Sequence, residues 1–545
     1  MRIFKSKRSL SLVAITSLLI PLLVTSGTAR AADPACATAN YVTSCVGATS
    51  DSAPYSMMVP ANFNGTVFIY SHGYRPNIPV PAGIPGYGGY TVTNTPQPGP
   101  NATVIGALLA KGYGVMGSGF SRQGWNANEG VKTDVELIGL FKKQFTKTKK
   151  VIAWGESLGG FITQALAESN GSLLSAAAPM CMASNISPLS TMAGDALWGM
   201  KTFFDPTIKG GNYSAGAAGY AEAMGDLVKV FTAIGALQAA FAANPKLPAW
   251  PATSKVPDAM KAAIPSRSAL VLVALMSGVP LQSAHFDSTS APSVLSAADQ
   301  TSFQIAINPA FAALENVATA AALAVLVTYD LELQSGGAFF DNTKTNYTAR
   351  LGDDAFVWTS ALSGKTATDT LLGYLAAAPR ATGNAAAMAK MKAQLAHTGK
   401  ITVPTITLVG TADPVTVAGN SQWIADRYAE QYAQALVDAR ASYKQTGSYK
   451  RPDSKLLSIW NFPAAKYTKY TALGAPDTTV PAASGTNHCN FTDSQYLAVA
   501  DLLAYASENG THLAGGALYT KLRKAGGMTI DKEYRAPLLK AYGDN

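Results

Sequence analysis

Residues 151–168 constrain this chain more tightly than any other stretch. The short apolar run Val151-Ile152-Ala153-Trp154 reads as a strand. It enters Gly155-Glu156-Ser157-Leu158-Gly159 and continues into an apolar, helix-forming segment, 161–168. A serine at so sharp a strand-to-helix turn must take a strained backbone conformation. Its flanks must be small, because a Cβ there collides with the neighbouring strand or helix. Such a turn lifts the hydroxyl clear of a sheet and sets it at a helix N-terminus, where backbone N–H groups favour developing negative charge. The bland reading is a glycine turn whose serine caps the helix. The strand before and the helix after favour an exposed nucleophile, Ser157.

The surrounding pattern says what sheet this turn belongs to. Residues 55–59, 66–71, 113–117, 151–154 and 176–180 read as strands, with helices at 104–111 and 131–145 between them. Short apolar runs alternating with helices imply a mostly parallel sheet covered on both faces. From about 185 to 400 the texture changes to alanine-rich helical stretches, among them 213–243, 309–333 and 384–396. The most apolar pieces, 269–276 and 320–327, are too short to span a bilayer, so no membrane span is expected. Sheet character returns at 401–409, followed by a helix near 421–441, an irregular stretch at 447–480 and a final helical section. The expected architecture is an α/β core formed by 32–184 and 401–545, with a mainly helical cap, 185–400, inserted between its halves.

The N-terminus carries Arg2, Lys5, Lys7 and Arg8, then an apolar run at 10–24 and Ala29-Arg30-Ala31. This reads as a secretory signal peptide, 1–31, cleaved near Ala31. Its removal takes five positive charges and lowers the formal net charge from +9 to +4. Basicity therefore gives no nucleic-acid partner, and no Lys/Arg cluster with interleaved aromatics is read in the rest of the chain. All four cysteines lie beyond the leader. An even count in an exported chain suggests two disulfides, and four cysteines allow three connectivities. The short loop makes Cys36–Cys45 the natural first pair, leaving Cys181–Cys489 to restrain the segment around His488.

A serine nucleophile needs a base, and the chain has five histidines. His72 directly follows a strand far upstream, His285 and His397 fall in the cap, and His512 follows a helix end. His488 stands in the glycine-bearing loop Gly485-Thr486-Asn487-His488-Cys489, from which an imidazole can reach Ser157. The base in turn needs a carboxylate to fix its tautomer. Asp413, in Thr411-Ala412-Asp413-Pro414, follows the strand 404–410, and the carboxyl edge of a parallel sheet is where catalytic groups gather. Asp330 and Asp205 are weaker choices because they lie in the insertion. Negative charge on a reacting carbonyl oxygen requires donors: the N–H of Leu158, and that of Tyr74 or, second, Gly73, after the strand ending at His72.

Ser71-His72-Gly73-Tyr74, Gly155-Glu156-Ser157-Leu158-Gly159, Gly410-Thr411-Ala412-Asp413-Pro414 and Asn487-His488-Cys489, in that order, resemble the α/β-hydrolase superfamily. The likeness covers roughly 53–184 and 401–505, and the region between sits where that superfamily commonly inserts a lid. It implies Ser157 as nucleophile, His488 as base, Asp413 as acid, and Leu158 with Tyr74 as oxyanion donors. A cysteine beside the histidine is also similar to tannase and feruloyl esterase relatives, whose partner cysteine adjoins the serine; here Glu156 stands there. The expected activity is cofactor-free hydrolysis of carboxylic esters, with no metal site, acting outside the cell on a small or polymeric, mainly hydrophobic ester. A secreted aminopeptidase of the same fold would instead aim cap carboxylates such as Glu315, Asp330 or Glu332 at a free amine. A silent binding protein would keep the fold without the chemistry.

Overall fold

The computed structural model describes residues 33–85, 87–289, 307–471 and 476–544, so the leader read at 1–31 and its cleavage site lie outside the described residues. Among the described residues, ten strands build one mixed sheet: β1 (Ala35–Ala39), β2 (Val42–Ala48), β3 (Pro54–Pro60), β4 (Thr66–Ser71), β5 (Gly114–Ser118), β6 (Lys150–Glu156), β7 (Ala176–Met180), β8 (Thr405–Gly410), β9 (Leu456–Asn461) and β10 (Met528–Thr529). Their spatial order is β1-β2-β3-β5-β4-β6-β7-β8-β9-β10. The run from β5 to β9 is parallel throughout, and the flanking pairs are antiparallel. This is consistent with the expected α/β-hydrolase fold.

Burial explains why the central strands are apolar throughout. In β4, β7 and β8 every residue is buried, because helices cover both faces. Phe68, Tyr70, Ile152 and Trp154 pack on one face with Leu108, Val499 and Leu503. Their alternates Val67, Ile69, Val151 and Ala153 pack on the other with Leu137, Phe141 and Leu166. The exposed β1–β2 hairpin carries the Cys36–Cys45 disulfide between directly paired positions.

Between β7 and β8 the described chain is helical apart from loops, beginning with Ile186–Phe203 and ending with Ala385–Lys392. Its centre is the helix Ser266–Ser277, in which every residue is buried, against Ile186–Phe203 and Ile307–Ser335. This helical block has no core of its own: Leu158, Phe161 and Ile162, from the helix after the serine, belong to the same apolar cluster. The run 320–327 lies within the helix expected at 309–333, which spans the 29 residues Ile307–Ser335 and, like Gly216–Ala243, is long and apolar enough to cross a membrane by length and composition alone. The two helices pack against each other and bury Asp226, Asp330 and Glu332 as hydrogen-bond acceptors.

One correction concerns charge. The helix Gly419–Thr446 ends in an exposed arm where Arg440, Lys444, Lys450 and Arg451 do interleave with Tyr443 and Tyr449. Gly447, at φ 70°, ends the helix and folds the chain back, so the two rings meet edge to face 6.4 Å apart. The cluster spans only twelve consecutive positions, 440–451, so it was open to reading from the sequence and was passed over.

Candidate active site

The strands β4, β6, β7 and β8 run parallel, so the segments leaving their carboxyl ends emerge on one edge. These are His72-Gly73-Tyr74, Ser157, Cys181 and Asp413. Ser157 sits between β6 and the helix Leu158–Asn170 at φ 57°, ψ −121°, a conformation an L-residue holds only under tertiary constraint. The glycines around it are required sterically. A Cβ on Gly159 would lie 1.9 Å from the Ser71 carbonyl oxygen, and one on Gly155 would lie 2.6 Å from the same atom. The Ser157 N–H donates to Met180 O at 3.1 Å, tying the turn to β7.

Asp413 is fully buried in the turn after β8. Its carboxylate accepts the N–H groups of Val415 and Thr416 at 2.9 Å and of Cys489 at 3.1 Å. It also faces His488 Nδ1, at 3.0 and 3.1 Å from its two oxygens. His488 Nε2 in turn lies 2.9 Å from Ser157 Oγ. A continuous carboxylate–imidazole–hydroxyl line therefore joins three residues separated by as many as 331 positions. Burial disfavours the charged imidazole, but the Asp413 charge and hydrogen bond outweigh it, so the His488 pKa stands above that of an ordinary histidine. The loop holding the ring is over-determined. Asn487 and Cys489 have positive φ, Ala412 N–H donates to Gly485 O at 3.0 Å, and Cys489 is bridged to Cys181.

Leu158 opens its helix, where an N–H has no intrahelical acceptor. Gly73 packs on the serine: a Cβ there would lie 3.4 Å from Ser157 Cβ. The Tyr74 side chain turns toward the helical block, its hydroxyl 3.3 Å from Asp330. The remaining histidines are elsewhere. His72 packs against Phe120 with the rings tilted, and burial lowers its pKa to about 4. His397, likewise lowered to about 4 by burial, stacks on Phe161. His285 pairs with Glu315, and His512 bonds Lys455 O. Asp205 accepts from Thr207, and Asp330 from Trp125 N–H, Asn77 and Gln334, so neither reaches His488.

The cap carboxylates considered for amine recognition are all engaged internally. Glu315 holds His285 and Ser283, and Glu332 accepts the N–H groups of Asn212 and Tyr213 at 2.6 and 2.8 Å. Two groups of potential metal donors cluster among the described residues, Glu156-Cys181-Cys489 and Asp413-His488-Cys489. Both include sulfurs already spent in a disulfide. Sequence reasoning missed Thr416, whose hydroxyl donates to Cys181 O at 2.6 Å and lies 3.3 Å from His488 Nδ1. Its only signal was its place three residues after Asp413.

No family model and no curated protein matches the chain. Solved structures that are similar in part include the Pyrococcus furiosus esterase Pf2001, 15% identical at TM-score 0.20 over 29% of this chain and 61% of that one. The Pyrococcus horikoshii acylaminoacyl peptidase is 16% identical at TM-score 0.20 over 27% of this chain and 24% of that one. Feruloyl esterase B from Aspergillus oryzae is 11% identical at TM-score 0.35 over 86% of this chain and 81% of that one. This chain thus spans about three fifths of the first and a quarter of the second. Likenesses this distant carry no argument about chemistry, which rests on the site's own geometry.

Proposed function

We propose that this protein is a secreted serine hydrolase that cleaves carboxylic esters. The observation that carries the reading is the unbroken line Asp413–His488–Ser157 at hydrogen-bond distances, on the carboxyl edge of a parallel sheet. His488 Nε2 takes the Ser157 proton as Oγ attacks the ester carbonyl. Asp413 holds the ring with Nδ1 protonated and offsets the imidazolium charge. The N–H of Leu158, with that of Tyr74 or Gly73, receives the oxyanion, and His488 then protonates the leaving alcohol. Water, deprotonated by His488, releases the acid from the acyl-enzyme.

The apolar helical block packed on the serine's helix acts as a lid and favours a hydrophobic ester. The two disulfides agree with export, as the leader suggests. The peptidase alternative lacks support, since Glu315, Asp330 and Glu332 are committed to internal donors. The test is turnover of p-nitrophenyl esters from acetate to palmitate by the protein and by Ser157→Ala, beside a panel of aminoacyl-p-nitroanilides. Serine-dependent ester cleavage supports the reading, and the best chain length sizes the acyl site. Anilide cleavage without ester preference would overturn it.

A further inference from the structure

Glu156, the residue before the serine, has no part in the line just described, yet it stands half-buried within the same site. It closes β6 with its carboxyl between two phenols. Oε2 accepts from the Tyr70 hydroxyl of β4 at 2.6 Å, and Oε1 accepts from the Tyr496 hydroxyl of the helix Asp493–Asn509. Both phenol rings meet the indole of Trp154 edge to face, at 5.8 and 6.3 Å, which fixes their aim. On another side lies the disulfide: a Glu156 oxygen and the sulfurs of Cys181 and Cys489 fall within 4.8 Å of one another. Beyond it is the histidine, with Cys489 Sγ 3.6 Å from each His488 ring nitrogen. The order in space is carboxyl, disulfide, imidazole.

We propose that Glu156 is a positioning residue of this site, a second carboxylate that acts on His488 across the Cys181–Cys489 disulfide. The inference rests on the serine-hydrolase reading above. A carboxylate touching the imidazole would compete with Asp413 for the Nδ1 proton. A disulfide offers no N–H or O–H, so it keeps the two groups apart while leaving the field of the charge largely unscreened. The imidazolium that forms during attack then sees two anions, one bonded and one at a distance. The two phenols offer the carboxyl donors, which suits its ionised form. The titratable groups facing Glu156 are Tyr70 from β4, Tyr496 from the helix Asp493–Asn509, His488 from its loop and Asp413 from the turn after β8. Burial, with a smaller contribution from Asp413, outweighs the two phenols and His488, so its pKa stands above that of an ordinary glutamate. Glu156 in turn contributes to raising that of His488.

The test replaces Glu156 by Gln, which keeps the shape and a hydrogen-bonding amide but removes the charge. Its first readout is the titration of His488 by NMR in the resting protein, which needs no turnover. The expected result is a midpoint lower by about half a pH unit, with the acid limb of kcat/KM moved the same way and kcat reduced about threefold. Thiol titration should find both disulfides intact. Tyr496→Phe, which removes one hydroxyl, should move the His488 midpoint in the same direction by less, and it serves if Glu156→Gln does not fold. A His488 titration that superimposes on that of the unaltered protein in whichever variant folds, with disulfides intact, would leave Glu156 a packing group and overturn the proposal. A shifted titration in a protein that cleaves no ester would instead sink the hydrolase reading and leave the electrostatic link standing.

Discussion

The carboxyl edge of the sheet and the helical block each bury a carboxylate completely, and the two are alike in most respects. Asp413 and Asp330 both have no exposed surface, and both accept backbone N–H donors, Asp413 three at 2.9–3.1 Å and Asp330 one at 2.6 Å. They differ in what occupies the remaining lone pairs. Asp330 spends them on Asn77, Gln334 and the Tyr74 hydroxyl, joining the helical block to the loops below it. Asp413 leaves one direction for a histidine whose other nitrogen faces a strained serine. Burial of a carboxylate therefore says little by itself. What separates a structural acid from a site acid is a titratable partner that has a second partner of its own. Strain is concentrated at the edge, where Ser157, Cys181, Asn487 and Cys489 all hold positive φ, beside Asn212 and Ser363 in the helical block.

The largest effects should come from breaking that edge. Ser157→Ala and His488→Ala should each lower kcat/KM by about 10⁴-fold or more, to nearly the same floor, because the groups act as one unit. Steady-state kinetics beside circular dichroism would check this; a mild His488 effect would point to another base. Asp413→Asn should cost about 10³- to 10⁴-fold by offering the wrong tautomer. Asp330→Asn should instead leave kcat within threefold and lower stability by about 1–3 kcal/mol in denaturant titrations. Equal kinetic losses in the two variants would erase the distinction between the carboxylates.

How much of this was legible in sequence differs between the same two regions. The central strands could be read because burial on both faces makes them continuous apolar runs, and Ser157, Asp413 and His488 because each follows a strand or sits in a glycine-bearing loop. β9 was lost inside a stretch read as irregular, since a six-residue strand there has only weak flanking signals. The β1–β2 hairpin is exposed and short of apolar alternation, so only its cysteines marked it. Glu156 and Thr416 were invisible as site residues because their significance depends on Tyr70, Tyr496 and Cys181, which only folding brings near. The helical block announced its helices but not their partners: nothing in the sequence around Asp330 indicates that it meets Trp125 and Asn77.

The two disulfides give a smaller and sharper contrast. Cys36–Cys45 closes 9 residues on an exposed hairpin, whereas Cys181–Cys489 closes 308 and anchors the histidine loop. Chain entropy alone assigns the first about 2.5 kcal/mol and the second about 5 kcal/mol or more. Replacing Cys36 and Cys45 by Ser should lower the melting temperature and leave kcat unchanged at 25 °C. The same change at Cys181 and Cys489 should lower both, with kcat falling about tenfold or more as the ring loses its register with Ser157. Unchanged kcat in the second pair would show that the hydrogen bonds to Asp413 and Gly485 hold the loop without the bridge.

The smallest effect separates two histidines by the sign of their pH dependence. Hydrogen bonding to Glu315 raises the pKa of His285 in the helical block, and Asp413 raises that of His488 against the effect of burial. A pKa raised by folding adds stability that is fully present below the unfolded value, about 6.5, and is lost as pH rises through the folded value. Activity runs the other way, because His488 must be neutral to accept the serine proton. The rate should therefore climb with pH through a midpoint above 6.5 while the melting temperature drifts down over the same window. His285→Gln should remove part of that drift, about 1–2 °C in a chain of this size. It should leave the pH profile of kcat/KM in place, because His285 bonds Glu315 and the Val480 carbonyl rather than the Ser157 line. A displaced rate profile in that variant would mean that the helical block and the sheet edge titrate as one unit, and the contrast between them would fail.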